Sequence, residues 1–245
     1  MTRRLVLPAA IVTGAGLIAY PLARSGSARR RTITNIVVGG LAATTTAAAA
    51  SRWNAARALL GALTIGTSTA LVEWVGTATG VPFGRYRYTG RLRPAVAGIP
   101  VAVPAAWWAM ALPARETAQA ALGRRTSRFA RAVLGAGALT AWDLFLDPQL
   151  TSEGYWRWSR GGRYRGIPAS NYAGWLVTGL LVMVALDVLL PPGEPEPVLI
   201  AEYGAIGAME AFGFAAFFGD RRVAAVGGAA MLPLAALAVA RCCRG

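Results

Sequence analysis

The sequence runs to 245 residues, of which 55% are hydrophobic and only 15% charged, with a mean hydropathy of +0.45. A soluble domain usually carries about 25% charged residues, so this composition excludes an ordinary soluble fold and predicts an integral membrane protein. The formal charge is +14, from 25 basic residues, every one an arginine, against 11 acidic ones, yet the arginines sit in short clusters between apolar runs rather than in a basic domain, which argues against a nucleic-acid partner.

Apolar runs of near-membrane length recur at 5–22, 33–50, 57–80, 95–113, 129–147, 172–190, 197–218 and 223–240. Each covers a hydrocarbon core of about 30 Å at about 1.5 Å rise per residue. Their abundance of Ala, Gly, Ser and Thr suits helices that pack closely in lipid. The predicted fold is all-α: one polytopic membrane domain over 1–245, a bundle of about eight transmembrane helices, multi-pass in the cell membrane with the lipid bilayer as its first partner. The second run, with Thr44, Thr45 and Thr46 before an alanine stretch, is the weakest, so the count is seven or eight. The first run follows Thr2-Arg3-Arg4 and is long for a signal peptide, which predicts an uncleaved first helix. Arg29-Arg30-Arg31, Arg124-Arg125 and Arg221-Arg222 are expected at the headgroups. Pro191 to Pro197 reads as a stiff turn. No internal repeat stands out.

With eight helices, the loops after the first, third, fifth and seventh share one side, and the unusual residues gather there. Glu73 lies inside the third run. Asp143 and Asp147 lie in the fifth, four residues apart and so on one helical face. Pro148 disfavours helix before it, which predicts an end near Asp147. Glu210 lies in the seventh run and Asn171 opens the sixth. Trp74, Trp142, Trp156, Trp158 and Trp175 collect at the same end, beside Arg87 and Tyr88 in a compact loop. A charge inside a membrane helix costs a few kcal/mol on insertion scales, so these acids need a reason: pairing with an arginine, or a function. Asp187 and Glu202, toward the other side, read as interfacial. The chain has no histidine, which excludes a His-based metal site, haem site or catalytic triad. Its two cysteines, Cys242 and Cys243, are neighbours and form no disulfide framework.

The runs Pro82-Phe83-Gly84-Arg85-Tyr86-Arg87-Tyr88-Thr89, Gly98-Ile99-Pro100, Trp142-Asp143-Leu144-Phe145-Leu146-Asp147-Pro148-Gln149 and Gly166-Ile167-Pro168 followed by Asn171 resemble the CruF-type carotenoid hydratases, a family also described as carotenoid biosynthesis proteins. The similarity covers roughly residues 65–220; the first two runs and the last resemble nothing in particular. It implies an enzyme that adds water to the terminal double bond of an acyclic carotenoid end group, of the lycopene, γ-carotene or bacterioruberin-precursor type, leaving a tertiary alcohol. Other carotenoid biosynthesis enzymes are then expected partners. The chemistry suits the residues. A proton donor must make a tertiary carbocation, water must attack it, and a base must take the surplus proton. Without histidine, carboxyl groups are the natural donors, because burial in an apolar site keeps a carboxyl protonated, and a second carboxylate can take the proton from water. No redox cofactor or metal is required. Asp143, the deeper of the two aspartates, is the expected donor and Asp147 the expected base, with Glu73 able to exchange with either; Arg87, Asn171, Trp74, Trp142, Tyr88 and Glu210 are expected to bind substrate around them. Two other readings stay open: a related enzyme such as a lycopene cyclase, in which the chain's own alkene captures the cation, and a proton-coupled transporter using the acids as relays.

Overall fold

A computed structural model describes residues 3–123 and 126–243, so the anchor expected at Arg124-Arg125 lies outside the described residues, as does Thr2. Eight helices follow in order: α1 (Arg3–Leu22), α2 (Ala28–Arg52), α3 (Ala55–Thr79), α4 (Ala102–Leu122), α5 (Arg128–Ser152), α6 (Ala169–Leu189), α7 (Pro197–Ala216) and α8 (Arg221–Cys242). Four short strands accompany them: β1 (Tyr86–Tyr88), β2 (Ala95–Val96), β3 (Ile99–Pro100) and β4 (Trp156–Trp158). The backbone polar groups of the long segments are thus paired mainly within helices, as lipid demands.

Seven of the helices are long and apolar enough to cross a membrane. The exception is α4 and not, as the sequence suggests, α2. Its register also differs: residues 95–101 turn through β2 and β3, and the helix runs from Ala102 to Leu122. The reason is position. Every residue from Ala106 to Ala121 is buried, because α2, α3, α5, α7 and α8 pack around α4. A helix that meets protein on all sides needs no lipid-facing apolar surface, and α4 carries Arg115 and Glu116 at its heart. Arg115 pairs with Glu116 at 2.7 Å and approaches Asp187 at 3.7 Å, and donates to the carbonyls of Leu186 and Leu190 at 2.9 and 2.6 Å. Asp187, expected at the interface, joins this cluster.

Two further expectations fail for stated reasons. Glu202 is buried rather than interfacial, its Oε2 lying 3.0 Å from the Thr45 hydroxyl between α7 and α2. Helix α5 does not stop at Asp147 but continues through Pro148 to Ser152. A proline inside a helix orphans the carbonyl four residues back. Here that carbonyl, Leu144 O, accepts from the Tyr164 hydroxyl at 2.9 Å. The same device serves Pro113 in α4, whose orphaned Ala109 carbonyl accepts from Thr45 at 3.0 Å.

The chain also contains an internal repeat, hidden from a linear reading by divergence and a small insertion. The segment α3–β1–α4 matches α5–β4–α6. Glu73 precedes Tyr86 by the same distance as Asp143 precedes Trp156, and each strand reads aromatic–Arg–aromatic. Each loop then passes through Gly-Ile-Pro, at 98–100 and 166–168, and the residue seven positions after each proline is tryptophan, Trp107 and Trp175. The backbone agrees. Ala97 and Gly98 have φ of 49° and 83°, Arg165 and Gly166 have 51° and 80°. Val96 pairs with Ile99 as Tyr164 pairs with Ile167. Strands β1 and β4 pair antiparallel, Tyr86 with Trp158, Arg87 with Arg157 and Tyr88 with Trp156. Just beyond them Thr89 N donates to Tyr155 O and Ser159 N to Arg85 O, both at 2.9 Å. That pattern is symmetric about the two arginines, as an approximate two-fold relation requires.

Candidate active site

Three elements bring Glu73 inward. The buried residues of α3 are Ala58, Gly61, Ile65, Thr69, Glu73 and Gly76, a stripe at helical spacing made almost wholly of small or apolar side chains, with Glu73 its one acid. Gly76, one turn on, leaves room for the aromatic loop: a Cβ there would stand 3.1 Å from Phe83 and 3.3 Å from the Tyr86 hydroxyl. Strand alternation turns Tyr86 and Tyr88 inward and Arg87 out to solvent. Both tyrosine hydroxyls donate to Glu73 Oε2, Tyr88 at 2.7 Å, and Trp107 Nε1 donates to Oε1 at 3.2 Å. Burial first, and the Glu73 carboxylate second, push both phenols well above the ordinary tyrosine range, which keeps them as neutral donors.

Across the site, Asp143 and Asp147 meet one amide. Asn171 Nδ2 donates to Asp143 Oδ2 at 2.7 Å and also to Asp147 Oδ2. All three are buried. Asp143 Oδ1 has no hydrogen-bond partner among the described residues. Trp107, bonded to Glu73, stacks on Trp175, the equivalent tryptophan of the other repeat, at 4.0 Å with 12° between their planes. Trp142 meets Trp175 edge-on at 6.2 Å.

These groups wall one cavity. Glu73, Tyr86, Tyr88, Trp107, Trp142, Asp147, Asn171, Trp175 and Glu210 all line it, together with Trp156 and Trp158. The remaining wall comes from α1, α2, α4, α5, α7 and the adjoining loops and is mostly apolar. Ile18, Phe212 and Phe217 belong to that wall and are also 63%, 59% and 52% exposed on the outside of the bundle, so the cavity opens on the lipid-facing side between α1 and α7. Beneath Tyr20, one of the wall residues, lies a buried pair outside the cavity, Arg30 Nε to Glu153 Oε1 at 2.9 Å, with the Tyr20 ring 4.2 Å from the guanidinium carbon.

The placement of the expected residues is therefore uneven. Glu73, Asp147, Asn171, Trp142, Tyr88 and Glu210 come together as expected. Asp143 is fully buried behind the wall and does not line the cavity; it reaches the site through Asn171. Arg87 and Trp74 do not line it either. Arg87 points outward opposite Arg157, and Trp74, the residue after Glu73, is turned about 100° around α3 and is 52% exposed. Trp107 and Tyr86 are the residues that sequence reasoning missed. Trp107 carries a signal, its spacing from Gly98-Ile99-Pro100, which only the repeat reveals.

The model of the family described as "Carotenoid biosynthesis protein" matches residues 15–238. The chain belongs to the carotenoid biosynthesis protein family. The family match extends well beyond residues 65–220 and takes in α2 whole, the second part of α1 from residue 15, and most of α8. A relative from Haloarcula japonica, named bisanhydrobacterioruberin hydratase, is 32% identical over 118 residues, 47% of this chain and 40% of the relative. The chain thus aligns with less than half of the length of that curated relative. No solved structure matches.

Proposed function

We propose that this family member hydrates the terminal carbon–carbon double bond of an acyclic carotenoid end group to a tertiary alcohol, without a redox cofactor or a metal. The observation that supports this reading best is the Asp143–Asn171–Asp147 cluster at the wall of an aromatic cavity that opens toward lipid. A polyene dissolved in the bilayer slides its end through the apolar opening until the trisubstituted double bond meets Asp147. Two carboxyl groups sharing one amide donor in an apolar wall cannot both carry charge cheaply, so the pair retains a proton to give. Asp147, which faces the cavity, delivers it; Asp143, behind it, shares and replenishes it. This reverses the assignment expected from depth alone. The proton goes to the less substituted carbon, the carbon bearing two methyl groups becomes cationic, and the indole faces around it stabilise that charge. Water then closes the C–O bond and gives its surplus proton to a carboxylate of the site.

The test is expression in a bacterium that makes acyclic carotenoids, with mass analysis of the extracted pigments. The expected product gains the mass of one water per reacted end, and Asp147→Asn abolishes the gain. Unchanged mass with a new ring would mark a cyclase instead. Unchanged pigment, with the protein present in the membrane, would end the reading.

A further inference from the structure

The internal repeat gives Glu73 and Asp143 equivalent positions, but the two half-sites are furnished differently. Position for position, Asn171 corresponds to Val103, and Asp147 to Thr77. The second unit therefore holds two carboxyls on a single amide donor. The first holds one carboxyl that receives three donors, from Tyr86, Tyr88 and Trp107. The second half-site has more carboxyl oxygens than donors to serve them, so a proton shared between the two acids fills the shortage. The first has a carboxyl whose oxygens both face donors, an arrangement suited to accepting a proton rather than giving one.

We propose that the duplicated halves have divided the work, and that the Glu73–Tyr86–Tyr88 cluster holds the attacking water and takes its proton. This rests on the hydratase reading above. The water donates one hydrogen to Glu73 and keeps a lone pair toward the cationic carbon, with Tyr86 and Tyr88 fixing the carboxylate that orients it. In the step, the oxygen forms a bond to the tertiary carbon and the surplus proton passes to Glu73, while Asp147 has already lost one to the neighbouring carbon. Glu73 returns its proton to the aspartates between turnovers. The net reaction consumes alkene and water only. Glu73 acts on the water; Tyr86 and Tyr88 are positioning residues.

Division of labour separates two events that a single acid–base group would fuse, and heavy water reads them apart. With the acid half intact and the water half damaged, the alkene is still protonated, but the cation decays by losing a proton from an adjacent carbon. In D₂O that return leaves deuterium in a pigment that has gained no water. Membranes holding the full-length protein and an acyclic carotenoid are incubated in D₂O, and the pigment is analysed by mass. Glu73→Gln and the double Tyr86→Phe/Tyr88→Phe variant are expected to lose about 10²-fold or more in hydration, while deuterium still enters the unhydrated pigment. Asp147→Asn is expected to lose both. Retained exchange also shows that the Glu73 and tyrosine variants are folded. If Glu73→Gln loses hydration and exchange together, or keeps hydration at the wild-type rate, the division of labour is wrong. If the wild-type protein neither hydrates nor exchanges, the hydratase reading itself fails.

Discussion

At the scale of the single residue, the site depends on side chains that differ by one atom from inert neighbours. Asp143 has no exposure at all, yet one of its oxygens lacks a partner. A buried polar atom left so is costly, and on the hydratase reading the proton shared with Asp147 offsets part of that cost. Replacing Asp143 with Asn keeps the shape and removes the acid. The expected outcome is normal insertion into the membrane, measured by yield in detergent, with hydration reduced at least about 100-fold. An Asp143→Asn protein working near the wild-type rate would leave the proton to Asp147 alone. Much at this scale was legible in advance. An intramembrane acid is conspicuous against apolar surroundings, and helical spacing alone set Asp143 and Asp147 on one face. The sequence could not distinguish a residue at the cavity wall from one directly behind it, because both satisfy the same spacing. Nor could it place Arg87, whose outward direction follows from pairing with a strand seventy residues away.

At the scale of the element, prolines explain both the agreement and the misreading. Pro148 predicts a helix end, and α5 runs through it, because Tyr164 serves the carbonyl that the proline strands. Pro113 is served in the same way by Thr45. Such remedies come from other elements and leave no local trace. They do predict a consequence. Tyr164→Phe and Thr45→Val each remove the donor and leave a carbonyl unserved, so each is expected to lower stability by about 1–3 kcal/mol, read as a lower midpoint of thermal unfolding in detergent. Tyr164→Phe is expected to disturb the site more, since the unserved carbonyl lies within the turn of α5 between the two aspartates. Gly76 supplies a second case. Gly76→Leu would press on Phe83 and push the Tyr86 hydroxyl from Glu73, so activity is expected to fall, with overpacking costing about 1–3 kcal/mol of stability. An unchanged rate for that variant would show that the loop can dock elsewhere.

At the scale of the whole molecule, the apolar runs made the bundle legible almost to its helix count, since lipid leaves few alternatives. The central place of α4 was not legible, because hydropathy reports contact with lipid and α4 has none to report. Its charges follow from that position. Arg115 and Glu116 have side chains 3% and 1% exposed, and removing one partner of such a pair typically costs about 3–5 kcal/mol. Arg115→Met is expected to destabilise strongly in a thermal melt, and Arg115→Met with Glu116→Gln to recover part of the loss. Failure of the second change to recover anything would mean that the arginine's bonds to the Leu186 and Leu190 carbonyls carry the effect.

The boundary between the two matching units falls in the short connection from α4 to α5, after Gly123 and before Ser127. Each unit brings its own acid and its own tryptophan, and they meet across paired strands and stacked indoles rather than along the chain. Helices already inserted in a bilayer assemble as separate pieces through packing contacts. The polypeptide is thus expected to survive being cut there: two co-expressed fragments, one ending at Gly123 and one starting at Ser127 behind an initiating methionine, should find each other in the membrane and co-purify. A catalyst that can be delivered as two half-proteins need not once have been a single gene. A shorter ancestral chain of one unit, pairing with an identical copy, would have placed two like acids across the same pair of indoles. Fusing the copies would then have released one acid to become different from the other.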